Sequence, residues 1–493
     1  MKSEHDTNEI RKERHRVFAT IKIESSTVDN ITARTVERVL CKVLLPFRKT
    51  DKPLLYFLPT DEQELQLQQA VVFRMEAEVV QPNGEHTVIT ANQVHIVSHT
   101  SDPWGPGQTE HILIGEPWDL KIEHIRPPGT YHPDPRSTGC FWLSRNQLIS
   151  NVSVRSRSYT GEVKLKKLPP LTVSLTEKFD IAFDLHMGYR DERPGQTVMF
   201  DEMAAEFALP FDYLGNPAIN DAMNQLEDVL RLISFVGEYR CVCVGWRAGD
   251  SQSVTEFYRP RHVPGTEPPS VHEGLIEYQY FNEFIVESYK RLVKLTSPVA
   301  LRRALDYVIP DDNDTLESSY IMLYAAVETL VSFFRKQRGL ENIFDDENSW
   351  LQLSDDLREW LKSHPLLVGD KKKRGLVKEK VSELKRPAFS HAFGEFCRHY
   401  GVDLGDLWPM TGQREGDSLS MIRNKLVHGE VYRSERYQAL MGAREHLRWS
   451  VYRMIFGMLG WPITQTKIVP ARVARNPVYK SWTQDRTILS KQL

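Results

Sequence analysis

"DTLESSYIMLYAAVETLVSFFRKQRG", residues 314–339, is where the pattern of this chain changes. Leu316, Tyr320, Leu323, Val327, Leu330 and Phe334 recur three and four residues apart, the spacing that gathers apolar side chains on one face of an α-helix. Asp314 and Glu317 stand three apart as in a capping box, and Gly339 ends the run where a left-handed C-terminal residue belongs. One apolar stripe between two marked ends predicts a core helix of a bundle.

Upstream the period is two. "VFATIKIES" (17–25), "LLYFL" (54–58), "AVVFRMEAEVV" (70–80), "TVITANQVHIVSH" (87–99), "LTVSLTEKFDIAFDLHM" (171–187) and "EFYRPRHV" (256–263) are rich in β-branched and aromatic residues and predict strands. One helix interrupts them, "NPAINDAMNQLEDVLRLISFVG" (216–237), with Ala222, Leu226, Val229, Leu230 and Ile233 at helical spacing. The Pro/Gly-rich stretch from about 101 to 140, with "SDPWGPGQ" and "HIRPPGTYHPDPRSTG", reads as loops, because proline removes backbone donors. Downstream, "SERYQALMGAREHLRWSVYRMIFGML" (434–459) opens at Ser434 as N-cap and carries Leu440, Leu447, Val451, Met454 and Met458 on one face. The fold class expected is α+β: a β-rich region at 1–165, a second β-rich segment with one helix at 166–280, an all-α bundle at 281–470 and a tail at 471–493.

A composition of 41% hydrophobic and 26% charged residues is that of a folded globular chain. The charged opening "MKSEHDTNEIRKERHR" lacks the apolar core of a signal peptide, and no apolar run approaches the roughly 20 residues needed to span a bilayer, so a cytoplasmic protein without a membrane partner is expected. Five scattered cysteines suit neither a disulfide framework nor a four-ligand zinc site, and Cys241 and Cys243 read as core residues on one face of a strand. The net charge of −3 hides an asymmetry: Lys and Arg outnumber Asp and Glu from residue 361 onward, and the reverse holds before it. A basic surface attracts polyanions. Its densest run, "KKKRGLVKEKVSELKR" (371–386), offers Lys371, Lys372, Lys373 and Arg374 for phosphate contact, with Leu376, Val377, Val381 and Leu384 predicted to face inward.

Between the two bundle helices lies "SLSMIRNKLVHGEVY" (418–432). Asp417 or Ser418 is the expected N-cap, and Gly429 the residue past the end. At about 100° per residue, Leu419, Ile422 and Leu426 share an inward sector, Asn424 and His428 share the opposite face, and Arg423 lies at the boundary. Histidine moves protons at neutral pH, arginine presents a permanent planar donor fork to a charged phosphate, and Asn424 is placed to orient the imidazole. Lys425 adds a further cation for RNA.

"RNKLVHG" resembles the R-x(4–6)-H motif of the HEPN superfamily of helical-bundle ribonucleases, including the polar residue after the arginine. The layout is similar to Apea-like HEPN proteins of bacterial defence, which join a β-rich N-terminal region to such a bundle. The resemblance covers about 290–465. It implies a metal-independent endoribonuclease with catalytic Arg423 and His428, accessory Asn424 and an acidic residue on an earlier core helix, for which "AVETLV" offers Glu328. It further implies RNA as substrate, tRNA among the candidates, with no cofactor and no metal. A toxin-like role in anti-phage defence, a phage-derived trigger and a homodimer with a composite site complete the expectation. Arg126 to His132, Arg358 to His364 and Arg386 to His391 also fit the spacing, but none has a polar second residue and a capping glycine. A non-catalytic RNA-binding or sensor protein is the alternative, and a metal-dependent hydrolase ranks third because no carboxylate–histidine cluster stands at ligand spacing in the sequence.

Overall fold

In Val17, Ala19, Ile21 and Ile23 every second side chain is buried while Phe18 and Lys22 are exposed, the period of a strand with one face on a core. That strand opens a computed structural model describing residues 12–490, apart from 28–29, 47–50, 71, 82–83, 104–108, 128–136, 145, 147, 150–152, 158–162, 168–169, 177–178, 194–195, 210–215, 250–251, 260–273, 311–313, 345, 413–417 and 431. The chain divides into two units, Met1–Glu273 with Phe281–Val286, and Gly274–Tyr280 with Glu287–Leu493.

The first unit begins with β1 (Lys12–Thr27), β2 (Asn30–Leu45), β3 (Leu54–Leu58), β4 (Phe73–Val80), β5 (His86–Pro103) and β6 (Thr109–Glu116). They are all antiparallel neighbours in the order β5-β4-β1-β2-β3-β6, and β6 pairs back onto β5. The result is a six-stranded barrel, and closure leaves these strands no open edge within the ring. Cys41, Phe57, Phe73, Met75, Ile89 and Leu113 fill it, with the Phe57 and Phe73 rings edge to face at 5.5 Å. Helix α1 (Asp61–Gln68) buries Leu67 against this core.

The remaining strands are β7 (Asp119–Ile125), β8 (Ser137–Leu143), β9 (Ser153–Arg157), β10 (Val163–Lys167), β11 (Thr172–Thr176), β12 (Phe179–Arg193), β13 (Gln196–Leu209), β14 (Cys243–Gly249) and β15 (Ser253–Tyr258). From β5 the sheet continues as β7-β15-β14-β8-β13-β12-β11, while β9 and β10 form a separate hairpin. Helix α2 (Asn216–Gly237) packs on β11 and β14, and Ala222, Leu226, Val229, Leu230 and Ile233 are buried as their spacing predicts. Cys241 and Cys243 are buried thiols.

Two readings of this unit are corrected. The stretch 101–140 is not all loop, because β6, β7 and the start of β8 lie in it. Its described prolines, Pro103, Pro117 and Pro127, fall at strand ends or between strands, so Thr109–Glu116 and Asp119–Ile125 keep their donors, and Leu113, Leu120 and Ile122 are buried. The "WGPG" of the "DPWGPG" tip (104–107) and His132 lie outside the described residues. Strand β2, absent from the sequence reading, is one of the longest; its exposed Arg34, Thr35, Glu37 and Arg38 mask the buried Val36, Val39, Cys41 and Val43.

The second unit is helical: α3 (Phe281–Lys294, its first residues grouped with the first unit), α4 (Val299–Val308), α5 (Leu316–Gln337), α6 (Glu347–Ser363), α7 (Lys371–Lys380), α8 (Phe389–Tyr400), α9 (Leu419–Val427), α10 (Tyr437–Leu459), α11 (Pro470–Val473) and α12 (Pro477–Ser490). Thr315, one residue past the expected Asp314, caps α5 by accepting the Ser318 N–H at 3.1 Å, and Asp314 takes the Ser318 hydroxyl at 3.4 Å. Tyr320, Leu323, Val327, Leu330 and Phe334 are buried, whereas Leu316 is only half-buried. A 3₁₀ turn at Ser434–Arg436 precedes α10, so Ser434 is not its N-cap. Helix α10 is buried on nearly every side from His446 to Leu459 and forms the centre of the unit, and within 471–493 helix α12 packs on it.

The basic run departs from expectation. Only Val381 enters a core, a small one with Trp350 and Leu361, while Leu376, Val377 and Leu384 are exposed. Helices α6 and α7 pack chiefly on each other and on residues 381–385, too small a body to cover a full apolar stripe. No helix among the described residues is long and apolar enough to cross a membrane.

Candidate active site

The short helix α9 is held at both ends by backbone geometry. Ser418 takes the N-cap position in an extended conformation, but its hydroxyl lies 3.0 Å from that of Ser420 and makes no cap bond. The free N–H groups of Leu419 and Ser420 instead donate to the carbonyls of Pro409 and Met410, each at 3.0 Å. Asp417, the other expected cap, lies outside the described residues. At the far end Gly429 adopts φ 83° and donates to the Leu426 carbonyl at 3.1 Å, while the Glu430 N–H reaches the Lys425 carbonyl at 3.0 Å. This paired closure needs a left-handed residue, and a glycine reaches that conformation without strain. His428 is thereby the last residue before the turn, and it is exposed.

Leu419 and Ile422 are buried against the bundle, Leu426 is half-buried, and Asn424 and His428 face outward, as the spacing predicts. Tyr320 of α5 donates its hydroxyl to the Leu419 carbonyl at 2.8 Å, tying the motif helix to the core helix. One turn further along α5, Tyr324 lies under the Arg423 guanidinium, 5.6 Å from ring centroid to Cζ. A further turn on, Glu328 forms an ion pair with Arg423 Nη2 at 3.0 Å. Tyr320, Tyr324 and Glu328 therefore make one ladder of side chains four residues apart, facing α9.

Arg423 is fixed from three directions. Glu328 holds Nη2, Asn424 Oδ1 accepts from Nη1 at 3.2 Å, and the Tyr324 ring supports the plane. The ion pair is partly exposed, 30% at the arginine and 41% at the glutamate, so it contributes orientation and at most about 1 kcal/mol of stability. Burial pushes the Tyr324 phenol above its ordinary value, the Glu328 charge adds to this, and Arg423 and a hydrogen bond with Ser420 oppose it. Tyr324 thus stays neutral at physiological pH.

Asn424 departs from the sequence reading. Among the described residues its side-chain hydrogen bond goes to the arginine, not the imidazole, and the His428 side chain has no partner. Adjacent residues on a helix meet here because the long guanidinium folds back past its neighbour toward Glu328. One of the competing arginine–histidine spacings is engaged elsewhere: Arg358 pairs with Asp355 at 3.2 Å, and His364 packs on Trp360 at 4.6 Å.

Arg423, Asn424 and Glu328 are brought together; the basic run proposed for phosphate contact is on another element. Lys371, Lys372 and Lys373 are exposed on the first turn of α7, with Lys373 3.6 Å from Asp370, and Arg374 is half-buried. Lys425 is half-exposed on α9 itself. Along α5, past Glu328, Ser332 and Arg335 line an open polar cleft of about 380 Å³ with Glu341, Asn342 and Arg386. Tyr320, Tyr324 and Ser420 were missed as site residues; the four-residue recurrence of Tyr320, Tyr324 and Glu328 was the available signal. Among the described residues, ligand atoms close enough to share a metal ion occur in the first unit, at Glu64, His99 and His111. The chain matches no family model, no curated protein and no solved structure.

Proposed function

We propose that the helical unit is an endoribonuclease of HEPN type that cleaves RNA without a metal. The observation that carries this reading is the pairing of Arg423 with Glu328, 95 residues apart in sequence, beside an outward-facing His428. It is the acidic, basic and imidazole set that the motif implies, with the arginine oriented before substrate arrives.

In the reaction the ribose 2′-oxygen bonds to phosphorus, the bond from phosphorus to the 5′-oxygen breaks, and the products carry a 2′,3′-cyclic phosphate and a 5′-OH. One proton leaves the 2′-OH and one reaches the departing 5′-oxygen. His428 is the proton-transfer group. Arg423 supplies two parallel donors to the non-bridging oxygens, where charge accumulates, and Glu328 and Tyr324 keep its plane from rotating away. The two protons are handled on opposite sides of the phosphorus, so one imidazole is insufficient, and a two-fold pair of chains would place two His428 side chains at one phosphate. Exposed Val427 and half-buried Met421 flank the motif as apolar contacts for such a pair. RNA loops such as those of tRNA suit the mechanism because their 2′-OH groups reach in-line geometry. In this reading the protein acts as a toxin-like effector in anti-phage defence, and its β-rich unit receives the phage-derived trigger.

The test is RNA cleavage in excess EDTA, with sequencing of the ends. Cyclic phosphate ends produced by wild type and absent with His428→Ala support the enzyme. In mixtures of the two proteins, activity falling faster than the wild-type fraction supports the composite site. One observation favours a second reading, a non-catalytic RNA-binding module: the Arg423 charge is already satisfied by Glu328. RNA binding with no cleavage by wild type would decide for it.

A further inference from the structure

The geometry points to a divalent transition-metal site on the barrel, formed by Glu64, His99 and His111 and suited to Zn²⁺. The three residues come from three elements. Glu64 is on α1, His99 on β5 and His111 on β6. In the β5–β6 ladder His99 stands opposite Leu113 and His111 opposite Ser101, so the histidines are diagonal neighbours on one face of the pair that closes the barrel. Their rings stack with centroids 5.4 Å apart and planes 13° from parallel. Helix α1 is set over them by Leu67, which is buried, and by Gln63, whose carboxamide accepts the Thr60 N–H at 2.9 Å and donates to the Glu37 carbonyl at 3.0 Å.

Three atoms converge. His99 Nε2 is 3.1 Å from Glu64 Oε1, His111 Nδ1 is 3.7 Å from the same oxygen, and the two ring nitrogens are 3.2 Å apart. Tetrahedral coordination with bonds of about 2.0–2.1 Å separates neighbouring ligand atoms by about 3.3 Å. The observed triangle has that size.

Glu64 Oε1 already accepts the Gln68 carboxamide at 2.7 Å. With one proton, on His99 Nε2, a hydrogen bond forms but the His111 Nδ1 lone pair is left 3.7 Å from the carboxylate oxygen; protons on both facing nitrogens press two N–H groups together, and two bare nitrogens set lone pairs against a carboxylate. A single cation among the three engages all three ligand atoms at once, and the Gln68 bond then becomes the outer contact that orients the carboxylate. Two imidazoles and one carboxylate suit a borderline ion such as Zn²⁺ and not Mg²⁺ or Ca²⁺, which select all-oxygen sets. Both histidines are about two-fifths exposed, which leaves the fourth position open to solvent or an exchangeable ligand. Joining α1 to β5 and β6, the ion would clip the helix onto the closure of the barrel. This site is independent of the ribonuclease reading, which routes no step through a metal.

The full chain, stripped with a chelator and dialysed, is titrated with Zn²⁺, Co²⁺ and Mg²⁺. Expected are one Zn²⁺ per chain, no Mg²⁺ uptake, and the intense visible bands of tetrahedral Co²⁺. His99→Gln with His111→Gln removes the site, and Gln68→Ala weakens it by about tenfold. Because both histidines are exposed, the double variant melts like the metal-free wild type, while Zn²⁺ raises the melting temperature of wild type alone. Absence of the tetrahedral Co²⁺ bands in wild type, or Zn²⁺ binding undiminished in the double variant, would overturn the site.

Discussion

Two short, cation-bearing helices of the same unit, Lys371–Lys380 and Leu419–Val427, differ in what lies behind them. Both show apolar residues at helical spacing and basic residues beside them. In the motif helix Ile422 is 1% exposed, its first N–H groups are capped by backbone carbonyls, and a core tyrosine holds its first carbonyl. In the basic helix Leu376 is 57% exposed and no residue is buried. Amphipathic spacing therefore says that a face is apolar, while the neighbouring elements decide whether it is covered. A precisely aimed Arg423 needs the covered helix; an electrostatic contact with RNA needs only the uncovered one.

The largest expected contrast is functional. His428→Ala should lower RNA cleavage by about 10²- to 10⁴-fold with an unchanged melt, because the side chain is exposed. Reversing Lys371, Lys372, Lys373 and Arg374 to glutamate should instead weaken RNA affinity, flatten its salt dependence and leave the cleavage position unchanged. Cleavage rates and filter binding across a salt series separate the two, and equal effects on both measurements would erase the distinction.

Packing gives the next contrast. Ile422→Ala should cost about 2–4 kcal/mol in urea unfolding, whereas Leu376→Ala should stay within about 0.5 kcal/mol. A comparable loss at Leu376 would mean that α7 is covered in solution.

Acid should act on the motif helix through its cap. His446 of α10 accepts the Trp408 backbone N–H on Nδ1 at 3.1 Å, and Trp408 precedes the Pro409 and Met410 carbonyls that cap α9. Burial lowers the pKa of His446 from 6.5 to about 4, with Asp406 opposing and Arg453 assisting. The folded state thus refuses a proton that the unfolded chain takes up, and stability is lost as pH falls from about 6.5 to about 4, by roughly 3 kcal/mol in total. Hydrogen exchange across that range should rise at Leu419 and Ser420 before it changes in α7. Simultaneous change in both helices would show that the unit simply unfolds.

The smallest effect is expected at Tyr320→Phe, which leaves the Leu419 carbonyl without its side-chain donor and should cost about 1 kcal/mol. It should also loosen Arg423, read as a fall in cleavage with RNA affinity retained. Unaltered cleavage would show that the tyrosine only packs.

Local pattern determined much of this protein. Helix 216–237 was bounded from its sequence, the stripes of 314–339 and 434–459 lie on the core, and Gly429 ends the motif helix where glycine alone fits without strain. Those features depend on backbone preference and side-chain periodicity within a few residues, which the order of residues carries directly. Tertiary structure decided the rest. It closed the barrel through strands flanked by prolines, left Leu376 in solvent, turned Asn424 toward Arg423, and joined Glu328 to Arg423 and Glu64 to His99 and His111. Each of those outcomes depends on which distant segments share a surface, and that is set by burial and strand closure over the whole unit, beyond the reach of any local spacing.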